Sequence, residues 1–271
     1  MANLRSTIRQ TTKYAAFFHT VLDDQGLHRW LICEKVISKN KLKPFTQKLT
    51  TSQVGEINKK RIISESKVIK ANQVARFLSF FQTVSLVAIT GSLAVGNASK
   101  NDDIDLMIVT KNHTLWLTRL FVIPFISLFF PRRHPATKSF LPDAVCLNLW
   151  LDESVLAVPE NKRNLYTAHE VLQALPLLDR GEVYRRFLIA NRWSSRYLAN
   201  AFSLTTKKPS SQDTVKPGFL TYLLIPINFL AYFLQYLYMK HRITHETISL
   251  HAAYFHPRDL SERLNRHLGL Y

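Results

Sequence analysis

The chain has 271 residues, 46% of them hydrophobic and 20% charged, and its 36 Lys and Arg against 19 Asp and Glu leave a net charge of +17. Length and apolar content suit an ordinary globular protein, one domain with a smaller appendage. Two cysteines, Cys33 and Cys146, exclude a disulfide framework and fit a reducing cytosol, and the absence of a signal-like apolar run behind Arg5 and Arg9 agrees with a cytoplasmic protein.

So basic a chain favours anionic partners: nucleic acid, nucleotide phosphates or an anionic membrane surface. No Cys/His cluster has zinc spacing, so the histidines read as ordinary surface or core residues. Residues 1–55 are basic and mixed, with Ile8, Tyr14, Phe17, Phe18 and Val21 fitting an amphipathic helix. Trp30-Leu31-Ile32-Cys33 and Val36-Ile37 suit a second helix or a strand. The segment is expected to be a small helical or winged-helix-like module, with nucleic-acid contact as one use. Residues 56–82 form the clearest helix, because Val74, Phe77, Leu78 and Phe81 recur on one face. Lys59, Lys60, Arg61, Lys67, Lys70 and Arg76 decorate the rest, either as a solvated face or as a ridge for a phosphate backbone.

Val84 to Thr90 is a short apolar, β-branched run and reads as a buried strand. Gly91-Ser92-Leu93-Ala94-Val95-Gly96 follows, then six residues, then the strand Asp103-Ile104-Asp105-Leu106-Met107-Ile108-Val109-Thr110. Alternation along a strand puts Asp103 and Asp105 on one side and Ile104 and Leu106 on the other. Two such carboxylates repel unless a cation sits between them, and a hard divalent ion with oxygen ligands relieves that cost. Gly91 permits a tight turn, and the Ser92 hydroxyl with neighbouring N–H groups can face phosphate oxygens.

This run is similar to the active-site motif of the DNA polymerase β-like nucleotidyltransferase superfamily, particularly its minimal microbial members. The resemblance implies an α+β fold: a small mixed β-sheet core at 56–155, flanked by helices, with the N-terminal module before it and a helical C-terminal region at 156–271. It further implies nucleotide binding by Gly91, Ser92 and Gly96, and Mg2+ or Mn2+ held by Asp103 and Asp105. The function implied is transfer of a nucleoside monophosphate from a nucleoside triphosphate, ATP among them, to a hydroxyl of RNA, protein or a small molecule. The superfamily's third acid falls in the next strand-like segment, Ala144 to Leu151, where this chain carries Asn148. Asn148 can offer a carbonyl oxygen to a metal but cannot act as a general base. Asp143 and Asp152 flank that strand as possible substitutes. A retired enzyme that still binds nucleotide or nucleic acid is therefore an alternative reading.

Trp116 to Phe130 reads as a buried crossover helix interrupted by Pro124, with Lys111, Arg119, Arg132 and Arg133 as candidates for triphosphate or nucleic-acid contact. The segments Lys111–Leu120, Asn164–Glu170, Tyr184–Phe187, Asn191–Trp193 and His251–Pro257 resemble a group of microbial nucleotidyltransferase-like proteins. The second half is expected to be helical, with a polar linker at 203–217. Gly218 to Met239 carries no charge and is flanked by Lys216 and Lys240-His241-Arg242. It fits a helix in a protein groove, a helix on a membrane surface, or a span, and Pro226, Asn228, Gln235 and four tyrosines speak against the span. Peripheral membrane association is thus a third reading. A tail from His245 is expected to fold back on the body. Oligomeric state is not legible.

Overall fold

The structure, a computed structural model, describes residues 4–45, 49–133, 141–206, 219–241, 243, 246–255 and 260–269. In chain order the elements are α1 (Leu4–Phe17), α2 (Asp24–Arg29), α3 (Lys39–Leu42), α4 (Thr51–Leu78), β1 (Val84–Ile89), α5 (Gly91–Ala94), β2 (Ile104–Thr110), α6 (Leu115–Phe129) and β3 (Val145–Asp152). They continue with α7 (Leu165–Gln173), β4 (Leu175–Asp179), α8 (Val183–Ala190), α9 (Ala199–Thr206), α10 (Phe219–Met239), β5 (Thr247–Ile248), β6 (Ala252–Tyr254) and α11 (Ser261–Leu268). The fold is α+β, built on one six-stranded mixed sheet in the order β4-β1-β2-β3-β6-β5. β1 runs antiparallel to β2 and β4, while β2 and β3 are parallel and joined by the crossover helix α6.

Alternation along the strands splits the core in two. Leu86, Ala88, Met107, Val109 and Leu151 face a layer formed by α7, α8 and α9 together with Tyr14 of α1 and Leu264 of α11. Val87, Ile89, Ile104, Leu106, Ile108 and Trp150 face α4, α6 and Ala231 of α10. Each fully buried Val, Leu or Ile side chain stabilises the fold by about 1.5–3 kcal/mol, and both faces of β1 and β2 are filled in this way.

The strands expected at 84–90, 103–110 and 144–151 are β1, β2 and β3. The helix expected at 56–82 starts earlier, at Thr51, because Thr50 and Gln53 form a capping box. The N-terminal residues take the helical alternative. No strand occurs among their described residues, and Cys33 makes only an isolated bridge to Leu198. Trp30 to Ile37 is neither helix nor strand. Its backbone is satisfied from outside instead: Thr11 Oγ1 accepts from Ile32 N at 3.0 Å, Tyr197 O from Cys33 N at 2.8 Å and Asn200 Oδ1 from Ile37 N at 2.8 Å.

The C-terminal region supplies three of the six strands as well as helices. Pro176 is accommodated because β4 is an edge strand. The segment after His245 folds back as expected, with β6 pairing β3 and α11 lying against α1. Of the expected linker, residues 203–206 belong to α9, and 207–217 lie outside the described residues.

No helix among the described residues is long and apolar enough to cross a membrane. In α10, Asn228 Oδ1 accepts from Trp116 N and Leu117 N at 2.8 and 3.1 Å, satisfying first-turn amides of α6. Gln235 Nε2 donates to Trp116 O at 2.8 Å. The polar residues of α10 thus tie it to α6.

Candidate active site

The site lies where the C-terminal end of β1 meets the N-terminal end of β2. Thr90 N donates to Asp105 O at 3.0 Å, which fixes the start of the turn against the aspartate strand. Gly91 follows with φ +66°, and a Cβ built there would lie 2.9 Å from Asp105 Oδ2. Only glycine meets both requirements, a left-handed backbone and close approach to a carboxylate. The single helical turn α5 then presents Ser92, whose Oγ donates to Asp102 Oδ2 at 2.9 Å. Ser99 N donates to the same oxygen at 2.9 Å, so Asp102 locks both ends of the loop that delivers Asp103. Gly96, at φ +70°, closes the turn with open space around it.

Asp103 and Asp105 point to the face covered by α7, while their neighbours Ile104 and Leu106 are buried on the other. Arg133 Nη1 donates to Asp103 Oδ2 at 2.5 Å. In the parallel ladder Asp105 is opposite Cys146, and the register slips by one residue between Leu106 and Met107, so that Met107 is opposite Leu149. Asn148 is the extra residue of this bulge. It reaches back so that its Nδ2 donates to Asp105 Oδ1 at 2.7 Å.

Burial pushes the Asp105 carboxyl up to about 7, with the charges of Asp103 and then Glu170 adding to the shift and the Cys146 thiol opposing it. Burial also raises the Cys146 thiol, which stays protonated. Glu170 is on α7, the helix covering this face, and burial pushes its carboxyl up to about 7 as well. Asp105 and Glu170 are thus both poorly solvated carboxyls whose charges act on one another.

Beneath the loop, Lys67 of α4 is 1% exposed. Its Nζ donates to Asp102 O at 2.6 Å, Lys100 O at 3.2 Å and Asp143 Oδ1 at 2.6 Å. Beside α5 a cleft of about 480 Å³ opens between Trp30, Ala94, Val95, Gln173, Pro176 and Tyr184.

Of the residues expected from the sequence, Gly91, Ser92, Asp103, Asp105 and Asn148 come together here, and Gly96 ends their turn. Lys111 and Arg119 do not join them. Lys111 follows the last residue of β2, six residues and about 20 Å beyond Asp105 at the rise of a strand. Arg119 is at the same far end, its Nη1 donating to Gln235 Oε1 at 2.6 Å and its guanidinium over the Phe255 ring, where burial lowers its pKa to about 10. Cys146, Asp102 and Glu170 escaped the sequence reading. Asp102 adjoins the motif and could have been noticed, but Glu170 carries no local signal.

The donor set suits a hard divalent cation. One oxygen each from Asp103 and Asp105 and the Cys146 sulfur lie within 4.8 Å of one another, and the buried Oδ1 of Asn148 has no hydrogen-bond partner. Carboxylates with a carbonyl-type oxygen are magnesium or manganese chemistry, and a protonated thiol contributes nothing to it.

A glycine turn set against paired aspartates on a mixed sheet defines a nucleotidyltransferase-type core. Residues 71–138 match the family model described as the nucleotidyltransferase domain, which supports the polymerase β-like nucleotidyltransferase superfamily and nucleotidyl transfer as the general activity. No curated protein and no solved structure matched the chain.

Proposed function

We propose that this protein is a metal-dependent nucleotidyltransferase that moves a nucleoside monophosphate from a nucleoside triphosphate onto a hydroxyl acceptor. A bond forms between the acceptor oxygen and the α-phosphorus, the bond to the β-phosphate oxygen breaks, and pyrophosphate leaves. The observation that carries this reading is the approach of Gly91 to Asp105, which brings phosphate-binding amides and metal-binding carboxylates to one point.

Asp103, Asp105 and the Asn148 oxygen would hold the divalent ion, which when bound neutralises the triphosphate and lowers the pKa of the acceptor hydroxyl. The amides of α5 and the Ser92 hydroxyl cradle the phosphates. Arg133 exchanges Asp103 for a phosphate oxygen. Glu170 takes the role of the third acid that Asn148 cannot fill, receiving the acceptor proton. The cleft of about 480 Å³ between Trp30 and Tyr184 would take a base beside the turn. The +17 charge favours RNA as acceptor over an uncharged small molecule, and the two free thiols suit the cytosol.

The test is label transfer from each α-labelled nucleoside triphosphate, with Mg2+ or Mn2+, into RNA, protein and small-molecule extract. Asp103→Asn and Asp105→Asn should each lower transfer by at least ~10³-fold, about 4 kcal/mol of transition-state stabilisation, with the fold intact. Near-normal turnover in either variant overturns the assignment, and nucleotide binding without transfer in the wild type would make the chain a retired descendant.

One observation favours a second, compatible reading, attachment to an anionic membrane surface. α6 and α10 present Phe121, Leu128, Leu223, Phe229, Leu230 and Leu234 outward, each between 55% and 75% exposed.

A further inference from the structure

At the end of the sheet remote from the aspartate pair, three side chains from distant parts of the chain converge. His113 is in the turn between β2 and α6, Asp152 is the last residue of β3, and His251 is in the turn between β5 and β6. One donor atom from each lies within 4.8 Å of the others. We propose that these residues form a second metal site, a zinc-type site separate from the nucleotidyltransferase centre, which fastens the C-terminal hairpin to the core.

The geometry favours an ion over a simple histidine–carboxylate hydrogen bond. His251 Nδ1 and Asp152 Oδ2 are 3.3 Å apart, long for a charge-assisted bond. It is the separation of two ligands on a tetrahedral ion with bonds of about 2.0–2.1 Å, which is about 3.3–3.4 Å. The His113 and His251 rings stand 5.2 Å apart and nearly perpendicular, at 72°, so neither blocks the other's approach to a shared ion.

Asp152 is fully buried and held in place by its own hydrogen bonds. Its Oδ1 accepts from Ser154 N at 2.8 Å and Ser154 Oγ at 2.6 Å, and its Oδ2 accepts from His113 N at 2.6 Å. Such outer contacts orient a ligating carboxylate. His113 is also one of the few non-glycine residues with positive φ, +59°, a conformation this turn retains while its amide points at Asp152.

Two imidazoles and a carboxylate are a zinc donor set, with water in the fourth position. The hard-oxygen site at Asp103 and Asp105 selects differently. Zinc spacing was not legible in the sequence because the three donors are brought together by β-pairing: Asp152 N donates to His251 O at 3.0 Å, and Leu151 is opposite Ala252.

The test uses the full chain carrying Asp103→Asn and Asp105→Asn, so that the other carboxylates cannot hold the probe. After chelator treatment, this protein should take up one equivalent of Zn2+ by elemental analysis. With Co2+ it should show the intense visible bands of a tetrahedral ion. Its melting temperature should rise with added Zn2+. Adding His113→Gln or His251→Gln should weaken metal binding at least ~10-fold and abolish the thermal shift. Uptake of no metal, or uptake unchanged by both glutamine substitutions, overturns the proposal. If a glutamine variant fails to fold, the Co2+ spectrum of the chain with both histidines intact still decides, since lack of tetrahedral bands overturns it alone.

Discussion

At the scale of single residues, the proposed mechanism depends most, after the two aspartates, on Glu170. If it receives the acceptor proton, Glu170→Gln should lower kcat by about 10²–10⁴-fold while KM for the nucleotide changes little, because the interaction is made in the transition state. Glu170→Asp should recover part of the loss. Steady-state kinetics on the three forms checks this, and equal kcat for wild type and Glu170→Gln would remove Glu170 from the mechanism. Gly91, Ser92, Asp103 and Asp105 were legible in the sequence because turn and strand are local, with fixed spacing between donor and carboxylate. Glu170 was not, since its charge acts on Asp105 only because α7 packs on the sheet. Asn148 was legible as a residue but its contact was not: simple alternation sets Cys146 beside Asp105, and a bulge is needed to return Asn148 to it.

At the scale of elements, α4 supports the loop before the aspartate strand through one buried cation. Lys67 ties the carbonyls of Lys100 and Asp102 to Asp143, and Lys70 Nζ meets the other Asp143 oxygen at 2.5 Å. Burial pushes the Asp143 carboxyl up, but the hydrogen bonds and charges of Lys67 and Lys70 outweigh it and hold the pKa below the ordinary range. A depressed folded pKa gives stability that is fully present above the unfolded value, about 3.9, and is lost as pH falls through the folded value. Asp143→Asn tolerates the local φ of +62° but strands the Lys67 charge, so it should cost about 3 kcal/mol at neutral pH. The deficit should shrink below about pH 4 as the wild-type carboxyl protonates. Urea unfolding at pH 7 and pH 3 measures both, and a deficit independent of pH would refute the linkage. β1, β2, α4 and α6 were readable because their apolar patterns are long enough to show a period. β4, β5 and β6 were not: β5 and β6 have only two and three residues, β4 contains a proline, and all three owe their conformation to pairing with a strand already in place.

For the molecule as a whole, the proposed attachment to an anionic membrane surface rests on charge and apolar surface together. A chain of net charge +17 that leaves large aliphatic and aromatic groups of α6 and α10 in water combines the two forces that hold a protein at an anionic bilayer. Arg76 and Lys240 are exposed on α4 and just beyond α10, elements that belong to this same layer. Asn228 and Gln235 are spent on α6, so neither amide interrupts the outward face of α10. The protein should therefore float with vesicles containing anionic lipid and release as salt rises, since each Lys or Arg near the surface contributes about 1 kcal/mol that ions screen. Leu128→Glu, Leu230→Glu and Leu234→Glu together should abolish flotation with little change in melting temperature, because the three side chains are 75%, 56% and 55% exposed. Flotation that survives the triple substitution would refute the surface reading. A halving of the solution mass by the same triple substitution, with no vesicle binding by the parent, would instead make this face a contact between two copies of the chain.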